Sequence, residues 1–212
     1  MTPPPATGRP RDPAIDAAVL KATADELAEH GCGGFALERV AARAGTSKAA
    51  IRRRWPQRQR LVIDALGALM AVPPAPDNGC TRCDLQQSVR LLAQALDERL
   101  PPGVLAPLIA ECAGDPELHT YLLDTLVAPS RSAALVAVRR AADRGDLVPE
   151  TDPELLVDLL ASVVYQRALF GQEPASAVRL VDLLLRGVAA DFDELVRISR
   201  MPAAERPGHR HD

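Results

Sequence analysis

Residues 40–60 read VAARAGTSKAAIRRRWPQRQR, and two short helical patterns meet in them at Gly45. On the first side, Leu37, Val40, Ala41 and Ala44 recur on one face of a helix. On the second, Ser47 offers a cap, Pro56 a stop, and Ile51 and Trp55 lie about 40° apart on a helical wheel. Lys48 and Arg52 flank that apolar pair, and Ala49 and Arg53 stand opposite it. The second helix is therefore apolar behind and small and basic in front. Two such helices joined by a glycine turn form a helix-turn-helix, whose second helix suits a DNA major groove. Small Ala49 and Ala50 permit close approach and contact with a thymine methyl, and arginine addresses phosphate or guanine.

The charge distribution points the same way. The formal net charge is -3, yet residues 1–60 balance at +5 and residues 61–212 at -8. Eight cations and no acid fall within 39–60. A basic patch on an acidic chain implies a polyanionic partner at one end. On charge alone, a solvated helix face accounts for it equally well.

Over 212 residues, 47% are hydrophobic, 25% charged and only 3% aromatic. That composition describes a globular chain with an aliphatic core. No apolar run approaches the roughly 18 residues that span a bilayer, and MTPPPATGRPRDP lacks the apolar stretch of a secretory signal. The expectation is a cytoplasmic protein without a membrane partner. Cys80-Thr-Arg-Cys83 has metal-like spacing, but no second pair follows at zinc-finger distance. The four cysteines are read as incidental reduced thiols, with no metal or cofactor. No nucleophile elbow, HExxH, phosphate loop or dinucleotide fingerprint occurs, and adjacent acids such as Asp97-Glu98 diverge on a helix. Nothing points to an enzyme, and no catalytic residue is assigned.

Along the chain every element reads as helix. Asp12-Pro13 opens the first and Gly31 ends it. Further helices are predicted over 57–71, 83–99, 103–113, 116–127, 129–144, 153–171 and 174–198. The punctuation is Pro101-Pro102, Asp115-Pro116, Pro129, Asp152-Pro153 and Glu173-Pro174. The fold class is all-α. Leu155, Leu159, Val163, Val181, Leu184 and Val188 exceed what a thin unit needs to bury and suggest a dimer face. Small Ala161, Ala168 and Gly187 would permit close helix approach there.

Residues 19–66 resemble the DNA-binding part of the TetR/AcrR transcriptional regulators. The matching elements are Leu27-Ala28-Glu29-His30-Gly31, Val40-Ala41-x-x-Ala44-Gly45-x-Ser47-Lys48 and Ile51-x-Arg53-x-Trp55-Pro56. Residues 115–147 resemble the regulatory part of that family more loosely. The resemblance implies a helix-turn-helix unit over 13–60 and a helical effector-binding and dimerisation unit over 61–200, between a disordered arm (1–12) and tail (201–212). It implies a homodimeric repressor on palindromic double-stranded operator DNA, released by a small hydrophobic effector. Ser47 would cap the recognition helix. Lys48, Ala49 and Arg53 would face bases, and Arg52, Arg54 and Arg58 phosphates. Candidate effector contacts are Cys112, His119, Tyr121, Tyr165, Gln166 and Phe170. The chain departs from the family pattern at Ala36, where Ser or Thr is common, at Arg52, often Tyr, and at Cys32, often aromatic. Gly8-Arg9-Pro10-Arg11 suggests an arm for a narrow minor groove.

Overall fold

The computed structural model describes residues 13–207. The readings of 1–12, including the Arg9 and Arg11 arm, lie outside them. Three helices come first: α1 (Pro13–His30), α2 (Leu37–Arg43) and α3 (Lys48–Arg54). Gly31 and Gly45 end α1 and α2 with φ of 63° and 64°, a left-handed conformation that glycine adopts without steric cost. Val19, Ala22, Val40, Ala41, Ile51 and Leu61 form a small core between these helices and the start of α4 (Arg58–Leu69).

A larger bundle follows: α5 (Thr81–Gln94), α6 (Leu105–Cys112), α7 (Pro116–Leu122), α8 (Ala128–Asp143), α9 (Pro153–Leu169), α10 (Ala177–Val188) and α11 (Phe192–Ser199). Its core runs from Leu27 and Leu66 through Leu85, Leu108, Val138 and Val157 to Leu185. Helix α4 serves both cores, packing against α1, α6 and α7. Asp115 and Asp152 cap α7 and α9, each accepting two backbone N–H groups ahead of a proline, as the sequence implies.

Several boundaries differ from expectation. Pro129 does not separate two helices. A π-helical turn, Leu123–Val127, joins α7 to α8, making one continuous helix of 28 residues. By length and composition that helix could cross a membrane; here it is a bundle helix with Leu126, Leu135 and Val138 in the core. The segment predicted as 174–198 is two helices. Val148 N–H donates to the Val188 carbonyl at 2.8 Å and Ala190 N–H to that of Asp146 at 3.0 Å, which draws residues 189–190 out of the helix. Ser176, not Glu173-Pro174, caps α10. Part of the expected tail is ordered as a 3₁₀ turn, Ala203–Glu205.

The cysteine reading also needs correction, because Cys80 and Cys83 are joined by a disulfide. The first turn of α5 holds their Cα atoms 5.2 Å apart, inside the range a disulfide bridges. Cys32 and Cys112 are free.

Candidate nucleic-acid interface and effector cavity

Helix α3 is positioned by its apolar side and its ends. Ile51 is fully buried in the small core and Trp55 packs against it. The Ser47 hydroxyl accepts the Ala50 N–H at 3.1 Å, supplying the expected cap. Ala36 gives α2 no side-chain cap. Its backbone N–H donates instead to Glu26 Oε1 at 3.1 Å. Glu26 is buried on α1, and Arg39 donates to the same oxygen from Nε at 2.8 Å. The Arg39 guanidinium, against the opposing cost of burial, holds the Glu26 carboxyl below its ordinary pKa. A carboxylate from the neighbouring helix thus takes up the Ala36 N–H and, through Arg39, ties the start of α2 to α1, without replacing the cap on the first-turn N–H groups.

The outward side of α3 presents Ser47, Lys48, Ala49, Arg52 and Arg53, all exposed. Lys48 reaches Glu38 at 2.5 Å. Arg52 and Arg53 form no ion pair among the described residues. Arg54 and Arg58, expected on phosphates, lie elsewhere. Arg54 is mostly buried and pairs with Asp16, tying α3 to α1. Arg58 donates to Glu111 at 3.0 Å and to the Cys32 carbonyl at 2.8 Å. Its guanidinium lies 5.0 Å from the centre of the Phe35 ring. These two arginines hold the helices together, and their partners, remote in sequence, already occupy their charge.

In the bundle, a cavity of about 210 Å³ opens between the end of α4, α5, α8 and α9. Met70, Leu92, Ala134, Val157 and Ala161 wall it. Of the candidate effector contacts, Tyr165 lines it, with burial pushing its phenol pKa up. The other candidate contacts do not. Cys112 is sealed in the core, and its thiol pKa is raised by burial. His119 and Gln166 are exposed, and Phe170 is 74% exposed. Tyr121 turns toward α4, where its hydroxyl donates to Asp64. Met70, Leu92 and Ala134 escaped sequence reasoning because aliphatic residues carry no chemical signature. Only the gap between four helices marks them. A second cleft, larger and more polar, lies between Leu96–Pro102 and the turn after α9, with Asp97, Arg167 and Glu173 in its lining.

An all-α chain with a capped, basic helix-turn-helix at one end and a bundle enclosing an apolar cavity at the other is a DNA-binding transcriptional regulator. Known proteins agree. Residues 19–65 match the family model for bacterial regulatory proteins of the tetR family, and residues 75–185 that for the tetracyclin repressor-like C-terminal domain. The chain is 30% identical over 173 residues to the DNA-binding transcriptional repressor TetR of Mycobacteroides abscessus, covering 80% of this chain and 90% of that one. It is 28% identical over 187 residues to the HTH-type transcriptional regulator YdeS of Bacillus subtilis, covering 86% and 94%. The crystal structure of the TetR family transcription regulator SCO0332 matches with a TM-score of 0.65 at 32% identity, over 82% of this chain and 98% of that one. The chain belongs to the TetR family of transcriptional regulators.

Proposed function

We propose that the protein is a homodimeric repressor that reads a palindromic operator with α3 and leaves it when a compact, mostly apolar molecule enters the cavity. The observation that carries the reading is the exposed face of Lys48, Ala49, Arg52 and Arg53 over a buried Ile51. Lys48, Ala49 and Arg53 face bases and Arg52 a phosphate, with Ser47 fixing the helix start. Arg54 and Arg58 hold the helix in place rather than touching DNA. Repression is supported by the name of the Mycobacteroides relative.

Dimerisation is supported by apolar side chains left uncovered on α9 and α10. Leu155 is 56% exposed and Leu183 70%, and Leu159 and Val178 are exposed as well. Val181, expected on that face, is buried within the chain's own core. The effector class is supported by the cavity, whose walls are aliphatic apart from a few hydroxyls, Arg99 and an Arg131–Asp158 pair at 2.8 Å.

The test starts by selecting fragments from genomic DNA with the purified protein and footprinting the best of them. Two-fold symmetry in the protein requires half-sites about one helical turn apart. Arg53→Ala should change the preferred base at one position in each half-site, at a cost of about 1–3 kcal/mol on the best operator. A footprint without a dyad, or identical base preferences for wild type and Arg53→Ala, would overturn the reading. Ligands for the cavity are found by thermal shift against apolar metabolites, since native-state binding raises Tm by mass action.

A further inference from the structure

Asp64, in the middle of α4, accepts hydrogen bonds from both ends of the molecule. Trp55 Nε1 donates to Oδ2 at 2.6 Å, and the Tyr121 hydroxyl donates to Oδ1. Trp55 is the C-cap of α3, its own N–H bonded to the Ile51 carbonyl at 2.8 Å. Tyr121 belongs to α7. One carboxylate therefore ties the exit of the DNA-facing helix to a helix of the larger bundle. Hydrogen bonds to a charged acceptor are short and directional, so neither partner moves freely of the other. Arg60 lies over the Tyr121 ring, 4.6 Å from its centre. Burial, and then the bond to Asp64, push the Tyr121 phenol pKa up to about 12. The hydroxyl stays a donor at any physiological pH.

The other end of this link reaches the cavity without an intervening loop. The π-helical turn Leu123–Val127 begins two residues after Tyr121, and Val127, Ser130, Arg131 and Ala134 line the cavity. A π turn holds one residue more than an α turn, and its tightening or loss rotates the helix on one side relative to the other. Helix α4 lies directly against it. A Cβ built on Gly67 would come within 2.7 Å of Thr125 Cγ2. Helix α4 thus meets the helix that carries the cavity wall at Gly67 and again through the Tyr121–Asp64 bond.

We infer that Asp64 is a positioning residue that couples occupancy of the cavity to the orientation of α3, through Tyr121 on one side and Trp55 on the other, with Leu123–Val127 as the joint. The inference rests on the reading of α3 as the DNA-contacting helix. Wedging Val127 and Ser130 outward turns α7, and the Tyr121 hydroxyl carries Asp64, and with it Trp55, along. A mere brace would hold the parts together without transmitting the state of the cavity.

Trp55 is the sole tryptophan, so full-length protein gives a single indole N–H resonance in a ¹H–¹⁵N spectrum. That resonance reports the bond to Asp64 directly. Ala134→Leu fills part of the cavity and stands in for a ligand, and Ala161→Leu does so from the opposite wall. Each variant is first shown to unfold cooperatively, and whichever folds is used. The filled cavity should shift the Trp55 resonance and weaken binding to a DNA fragment selected by wild type by about fivefold or more, the lower end of ordinary allosteric coupling. In a Tyr121→Phe background, which keeps the ring beneath Arg60 but removes the donor, both effects should vanish. An unmoved Trp55 resonance, or the same loss of affinity in both backgrounds, overturns the coupling. If wild type selects no DNA, the reading of α3 fails, while the Trp55 resonance still decides whether cavity and helix communicate.

Discussion

Gly67→Ala sets two effects of known size against each other. Gly67 lies inside α4, where replacing glycine with alanine ordinarily stabilises by about 1 kcal/mol. Here the new methyl would stand 2.7 Å from Thr125 Cγ2, whereas carbon atoms pack best at about 3.5–4.0 Å. Roughly 1 Å of relief is needed, and it must come from a β-branched side chain with stiff χ1. The Thr125 carbonyl and Leu126 Cδ2, at 3.7 and 3.8 Å, are in ordinary contact and press no further. Overpacking of this kind costs about 1–3 kcal/mol. The net expectation is a destabilisation between zero and about 2 kcal/mol, against the helix-propensity trend. Thr125→Ser removes the opposing methyl, so Gly67→Ala should be stabilising in that background. Urea denaturation of the four proteins, at one fixed protein concentration, gives the coupling between the two positions. It should be about 1–2 kcal/mol, within the range for residues in contact. If Gly67→Ala stabilises the wild-type chain, or the coupling is zero, the close approach of α4 to the π turn is refuted.

Three further outcomes are expected. Ile51→Ala should cost about 2–5 kcal/mol in denaturation, because it empties a fully buried position in a core of few residues. Glu26→Gln should lower Tm at neutral pH. Because the native Glu26 pKa is depressed, its stabilisation is full above the ordinary value near 4.3 and is lost as pH falls through the native one, so the Tm gap should close in acid. Leu183→Glu, at an uncovered position of α10, should leave a folded monomer in sedimentation at micromolar concentration, while a buried position of α10 such as Val181 would unfold the chain instead.

The helices were legible wherever residues with strong local rules mark their ends. Gly31, Gly45, Asp115-Pro116 and Asp152-Pro153 act within one turn of themselves, and all do what the sequence implies. Pro129 misled because a missing N–H disrupts a regular helix, whereas here it follows a π turn in which the usual bonding pattern has already shifted. The break before α11 had a signal that the apolar periodicity hid. Asp191 accepts the Glu194 N–H at 2.9 Å, and an acid followed three residues later by Glu is a start signal. In the interface, Ile51, Trp55 and Ser47 follow from helical spacing. The partners of Arg54 and Arg58 do not, since Asp16 and Glu111 lie 38 and 53 residues away in the chain. Charge pairing at such distances is decided by packing, and the same holds for a cavity walled by aliphatic side chains.

The ion pairs around the helix-turn-helix bear on how the protein would find a site in a genome. Of the eight cations in 39–60, six are matched by carboxylates of the protein itself: Arg39, Arg43, Lys48, Arg54, Arg58 and Arg60. DNA gives up condensed counterions in proportion to the phosphates a protein neutralises, and that release drives sequence-independent adhesion. A cation that must first leave a carboxylate contributes little to it. The surface that looks heavily basic in sequence therefore offers chiefly Arg52 and Arg53 to arbitrary DNA, so loose binding should be weak and only mildly dependent on salt. With millions of wrong sites competing for each right one, the ratio of the two affinities governs occupancy. A chain that pairs its own charge in this way would raise that ratio without adding a contact to the operator.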